Sequence, residues 1–467
     1  MTPREHSIDL YNRTASLTAS DQRMAYQMLT SAVVTDPTFA QGWEFLGRSL
    51  ADIGGIPASC AAFRAALRLP DGCNPGDMTP ALRHNCLLQL GHRLANNLIV
   101  NDELLDEAEV VLKEALAMGE GMDPKVNGFC HTNLSLIASH RWDKETEIRE
   151  AELGFETHAD PSTELGLAFA CLYQGQLARG NRHFEARFPH SLGQYLTLPW
   201  PRWDGEYVDS LFVLSEQGLG DALSFTRFLP AAAKRVGLLT YSVQPTLWRL
   251  IADAVKHIPN IKITPQDRVI ESADAWVPAF SLPTALGLTD DEIHHSPGLS
   301  FKVAPVEDTS WKSRDARLHV AIAWAGAPNS GIDMHRSIPF TEFLALREVP
   351  GIALYSVQVG DRGADLHASG ASALVRDLTS WIHEARDTAG IMGEMDLCVV
   401  CESFVGHLAG AIKKPTYLLC SRFGRDWRSS PYLGEKTLWY PETKVLRQGH
   451  DATWRPVFKK LVKELSE

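Results

Sequence analysis

The sequence predicts an α-helical N-terminal array followed by an α/β unit with two parallel sheets, on three observations. Apolar residues recur three and four apart on successive segments of the first third of the chain. From residue 208 onward, short valine- and leucine-rich runs alternate with helical stretches, the order expected of parallel strands joined by crossover helices. Twice in that second part, at 211–221 and 397–411, an apolar run passes through a small polar turn directly into a helix.

At 467 residues the chain exceeds one ordinary core, so two or three domains are expected. A hydrophobic content of 45% and a charged content of 22% are those of a soluble globular protein. The net charge of −12 argues against a surface built mainly to neutralise nucleic-acid phosphates or to lie on anionic lipid. No apolar run approaches the roughly 20 residues of a membrane span, and the opening MTPREHSIDL lacks the order of a signal peptide. A cytoplasmic protein without membrane insertion is therefore expected. The eight cysteines are scattered through apolar patterns, as buried thiols in a reducing compartment would be. Cys398 and Cys401 have CxxC spacing, but three apart on a strand they point to opposite faces, which disfavours zinc binding or redox pairing.

In the first third, Trp43, Leu46, Gly47 and Leu50, then Ala61, Phe63, Ala66 and Leu67, fall at helical spacing on two segments, with a small residue where the helices would cross. The spacing returns at Leu167, Ala168, Cys171 and Gly175, with looser copies over 90–116 and 133–155. The pattern resembles the tetratricopeptide repeat, whose helix pairs of about 34 residues stack into a superhelix. Such an array either binds a protein segment on its concave face or props up its neighbour. Residues 195–207, with two prolines and two tryptophans, break the periodicity and read as an ordered linker after a helical domain at 1–194.

Strands are expected at 211–215, 239–243, 261–263 and 275–277 in a first lobe at 208–312, and at 318–324, 353–358, 397–401 and 415–419 in a second at 313–467. After the first strand, Gln217, Gly218 and Gly220 form a turn that can bring backbone N–H groups to a ligand. Asp221 then either caps the next helix or faces a cleft and takes a proton from a hydroxyl. Beyond Trp324, the loop 325–338 is long enough to hold a site and offers Asn329, His335, Arg336 and Ser337; the arginine can grip a phosphate or cap a helix. The next strand ends on the amide of Gln358.

The stretch 395–411 concentrates the chemistry. Glu402, Ser403 and Gly406 supply cap and turn residues, and His407 continues a helix whose free amides and positive dipole end face the carboxyl edge of the sheet, where a diphosphate can bind. A later loop, 421–440, is crowded with Arg422, Arg425, Asp426, Trp427, Arg428, Trp439 and Tyr440.

Taken in order, EQGLGDALSFTRFLP, SLP, WAGAPxxxxDxHRSIP, YSVQ, RDTAGIMGEMDL, ESFVGHLAGAIKKP, and DWR followed by WYP and RQ run from Glu216 to Gln448, within a resemblance that covers roughly residues 165–450. They resemble glycosyltransferases that join tetratricopeptide repeats to a heptosyltransferase-like unit of glycosyltransferase family 9, an arrangement distantly like that of O-GlcNAc transferase. The resemblance implies a GT-B fold: two Rossmann-like domains facing across a cleft, with a UDP- or GDP-type nucleotide-sugar held mainly by the C-terminal one, and neither metal nor cofactor. It implies a donor pocket drawn from Gln217, Gly218, Gly220, Trp324, Asn329, Arg336, Ser337, Gln358, Glu402, Ser403, Gly406 and His407, and makes Asp221 the general base. Glu402-Ser403 stands where the family usually has Asp-Thr, and Ala327, Ser330 and Met334 replace residues common in the Trp324 loop. Two functions follow. One is an inverting, metal-independent transfer to a protein, a glycan or, less in keeping with the acidic charge, modified DNA. The other is a non-catalytic repeat scaffold that retains the transferase fold.

Overall fold

The computed structural model describes every residue except 16, 18–20, 97–100, 120, 192–197, 269–271, 304, 328–332 and 425. The chain divides into two compact units, residues 1–170 and 171–467.

The first unit is a TPR-like helical solenoid. Pro3–Ala15 packs with Gln22–Thr35, Ala40–Asp52 with Ile56–Leu67, Pro80–Ala95 with Asp102–Ala117, and Pro124–His140 with Lys144–Thr157. Local chemistry sets where the helices begin: Thr79, Asn101, Asp123 and Asp143 each accept a first-turn amide on the side chain, and prolines occupy the first turn after Thr79 and Asp123. Glycines sit at the crossings. A Cβ on Gly47 would meet the Phe63 ring at 2.8 Å, and one on Gly91 would meet Leu112 at 2.5 Å, so these pairs approach more closely than a larger residue would permit.

The second unit takes in the short helices Leu177–His183 and Arg187–Ser191, which the sequence reading placed with the helical array. The described part of the linker packs on the first sheet: the Trp203 N–H donates to the Trp276 carbonyl at 2.8 Å, and Trp200 meets Phe212 edge-on at 5.6 Å. Residues 195–197 lie outside the described residues.

Four strands, β1 (Val208–Leu214), β2 (Val236–Val243), β3 (Ile261–Pro265) and β4 (Ala275–Pro278), form a parallel sheet in the order β3-β2-β1-β4. Six more, β5 (Leu318–Ala323), β6 (Ile352–Ser356), β7 (Val375–Asp377), β8 (Leu397–Cys401), β9 (Thr416–Cys420) and β10 (Thr443–Arg447), form a second in the order β10-β9-β8-β5-β6-β7. The edge strands β7 and β10 are additions to the sequence reading.

Every residue of β4 and β8 is buried, as in parallel strands covered on both faces. Leu397, Val399 and Cys401 join one apolar cluster, which leaves Cys398 on the opposite face. Burial pushes both thiols up to about 12, so neither is a reactive thiolate.

Each sheet grows outward from its first strand on one side and then on the other, so the topology reverses between β1 and β4 and again between β5 and β8. These are two Rossmann-like lobes, together a GT-B fold, and such switch points open ligand crevices at the carboxyl ends of the strands. No described helix is long and apolar enough to cross a membrane.

Candidate functional site

Both switch points lead straight into helices, Leu219–Ser224 after β1 and Phe404–Ala411 after β8. On the first lobe the turn is held from below. Glu216 is buried and receives both arms of the Arg187 guanidinium, at 2.9 and 2.7 Å, plus the Phe280 N–H at 3.2 Å. Gln217 then takes a φ of 62°, a left-handed conformation that a residue with a Cβ adopts only under constraint. Gly218 is the N-cap of the helix.

Asp221 caps the turn and reaches the other lobe as well. Its Oδ2 accepts the Gly218 N–H at 3.1 Å as a cap, and its Oδ1 accepts Arg428 Nη2 of the opposite lobe at 2.8 Å. One residue earlier the lobes touch: a Cβ on Gly220 would run into the His407 ring. His407 Nε2 lies 3.2 Å from Asp426 Oδ2, while its Nδ1 is 3.3 Å from Tyr440 Oη and 3.4 Å from Ser224 Oγ. Arg428 completes the cluster, donating from Nε to Asp426 at 2.7 Å and from Nη1 to Ser224 at 3.0 Å.

Burial alone would raise the Asp426 carboxyl, but Arg428 and His407 outweigh it and hold the group far below the usual carboxylate range. Burial would likewise lower Arg428, and Asp426 and Asp221 reverse that, fixing it as a cation. Nearby, Arg227 stacks 4.1 Å from the centre of the Trp439 ring, and burial brings its guanidinium down to about 10.

Ser403 is the N-cap of the second helix, but its hydroxyl donates to the Cys401 carbonyl at 3.3 Å rather than capping. First-turn amides are thus left without a side-chain acceptor. Gly406 serves packing, since a Cβ there would meet Leu418 at 2.8 Å. Glu402 is 8% exposed; its Oε1 accepts the Ser429 hydroxyl at 2.6 Å, and its Oε2 has no hydrogen-bond partner among the described residues. Burial pushes this carboxyl up, with Arg447 and Ser429 opposing. A small hollow, partly open to solvent, is bordered by Glu402, Ser403, Gly406, His407, Asp426, Arg428 and Tyr440.

The residues after β5 form a second group on the same sheet edge, since Ala323 pairs with Val400 of β8. The Trp324 indole is buried against Phe340 at 4.8 Å and donates to Asp365 at 3.1 Å. Gln358 Oε1 accepts the N–H groups of both Trp324 and Ala325 at 2.9 Å. Trp324 and Gln358 therefore shape the turn. Arg336 lies against Gly326, its Nε without a hydrogen-bond partner among the described residues and 3.6 Å from Asp333 Oδ1, which also accepts Ser337 Oγ at 2.8 Å and the Gly326 N–H at 3.0 Å. Asn329 lies outside the described residues.

No protein-family profile matches the chain. Among curated proteins it is similar to Protein FlbA of Caulobacter vibrioides, 21% identical over 364 residues that cover 69% of this chain and 59% of FlbA. The chain thus spans less than two thirds of that relative. Among solved structures, the ADP-heptose LPS heptosyltransferase II of E. coli aligns with 55% of this chain and 98% of its own, at 13% identity and a TM-score of 0.39. A TPR protein of Thermus thermophilus aligns with 42% of this chain and 94% of its own, at 14% identity and a TM-score of 0.30.

Sequence reasoning gathered Asp426 and Arg428 only as members of a crowded loop, without a role. Their spacing carried a signal: an aspartate two before an arginine can cap the following turn and hold the guanidinium at once. Asp426 Oδ1 does both, accepting the Arg428 N–H at 2.9 Å and its Nε at 2.7 Å.

Proposed function

We propose that the second unit transfers a sugar from a nucleotide-sugar donor to an acceptor hydroxyl or amide, and that the helical unit takes part in selecting the acceptor. The observation that carries this reading is the junction of three chemistries on Arg428: this buried cation borders the hollow at the start of the helix Phe404–Ala411, whose first turn has no side-chain cap, and it holds the Asp221 carboxylate of the facing lobe at 2.8 Å. A departing diphosphate needs the first two. An acceptor hydroxyl needs the third.

In this reading the acceptor oxygen bonds to the anomeric carbon as the carbon–phosphate oxygen bond breaks, the acceptor proton passing to Asp221 and the electron pair leaving with the diphosphate. A single displacement of this kind inverts the anomeric centre. Protein groups, Arg428 and the first-turn amides, meet the negative charge without a metal. In the same reading Arg336 and Ser337, which Asp333 contacts in the turn after β5, serve the nucleotide, and the acceptor is a protein or glycan.

The test begins with a mixture of nucleotide-sugars incubated with the protein, the retained species being identified by mass spectrometry. With that donor, Asp221→Asn is expected to lower turnover by about two to three powers of ten. Unchanged turnover would sink the base assignment, and retention of no nucleotide-sugar would favour the scaffold function.

A further inference from the structure

Arg428 serves two carboxylates, and they are not equivalent. Asp426 is two residues away on the same loop, accepts both the backbone N–H and the Nε of Arg428, and is also held by His407 Nε2. Asp221 comes from the other lobe, its side chain 21% exposed, and its charged contact is with Arg428. The Arg428–Asp221 contact is thus the separable one of the pair. The same guanidinium borders the hollow at the start of Phe404–Ala411.

We infer that the Asp221 carboxylate holds the position of an anion on Arg428, and that the diphosphate of a nucleotide displaces it. This rests on the transferase reading above and deepens it. The guanidinium turns its Nη2 from Asp221 to a phosphate oxygen, retaining Asp426 as its anchor, and the freed Oδ1 becomes available to an acceptor proton. One exchange of ion-pair partners thereby readies both ends of the reaction. It also imposes an order, donor before acceptor, because the base is engaged until the diphosphate arrives.

A merely structural ion pair and a placeholder differ in what removing the carboxylate does to affinity. If Asp221 competes with phosphate for Arg428, Asp221→Asn removes the competitor, and a nucleoside diphosphate binds about three- to tenfold more tightly. Arg428→Lys, which keeps the charge but loses the fork, binds it about tenfold more weakly. Calorimetric titration of the full chain and both variants with UDP, GDP and ADP in turn reads these numbers, with a melting curve for each protein. Should Arg428→Lys fail to fold, Asp221→Asn decides alone.

Equal or weaker binding by Asp221→Asn, with the wild type binding normally, overturns the exchange and leaves the transferase reading standing. Absence of binding of all three diphosphates to the wild type overturns the exchange together with the reading beneath it.

Discussion

Replacing Arg428 by methionine keeps the apolar stem and removes the guanidinium. Three hydrogen bonds are lost, to Asp426 at 2.7 Å, Asp221 at 2.8 Å and Ser224 at 3.0 Å. The decisive one is to Asp426, because that carboxylate is largely withdrawn from solvent, at 18% exposed, and is left with His407 as its charged neighbour. Removing one partner of a buried pair destabilises by about 3–5 kcal/mol. The Asp221 contact, a single bond from the other lobe, adds at most about 1 kcal/mol. A loss of about 3–5 kcal/mol is therefore expected, measured by urea unfolding followed through Trp427 and Trp439, which pack 5.2 Å apart beside the site. The double variant Arg428→Met/Asp426→Asn should recover a good part of it, because the stranded charge is gone.

The pH dependence has a definite sign. Asp426 is held below its ordinary value of 3.8 in the folded protein, so the stability it contributes is present above that pH and is lost as pH falls through the lower, folded value. The gap between wild type and Arg428→Met should accordingly narrow in acid. A loss under about 1 kcal/mol at pH 7, or no recovery in the double variant, would refute the buried ionic cluster.

Glu402 predicts the opposite slope. Its carboxyl is raised above the ordinary 4.5, so its contribution is full below that pH and is lost as pH rises through the raised value. Glu402→Gln, which does not ionise, should melt near the wild type at pH 4 and pull progressively ahead toward pH 8; parallel curves would contradict the unpartnered buried acid. Gly220→Ala drives a methyl into the His407 ring and should destabilise by about 1–3 kcal/mol, as overpacking does. In a background of His407→Ala that penalty should largely vanish, and its persistence would mean that the two helices do not touch. For Asp221→Asn, the expected signature is the pairing of a large fall in turnover with tighter diphosphate binding.

Central strands were legible because burial on both faces writes itself as continuous apolar runs, as in LCVVC of β8 and LHVAIA of β5. Edge strands were not. β7 is three residues with one buried, and β10 alternates Val445 with Lys444 and Leu446 with Arg447, a half-solvated pattern that reads as loop. In the site, the helix starts at Gly218 and Ser403 were visible because the small turn residues that end a strand and open a helix are local in sequence. The Arg428–Asp221 pair joins residues 207 apart, which no local periodicity encodes. Trp324 and Gln358 were identifiable by type, but whether each faces ligand or core depends on Phe340, Asp365 and the neighbouring strand, all distant in sequence.

The bond between Arg187 and Glu216 bears on how this molecule can be dissected. A truncated protein starting at Val208 would contain both sheets and every residue of the candidate site, yet would strand Glu216 as an uncompensated acid directly beneath Gln217. Such a fragment should misfold or lose the shape of its glycine turn, whereas one that retains Phe184 onward keeps the counter-ion. The practical boundary of the α/β half is therefore drawn by a charge, some twenty residues upstream of its first strand.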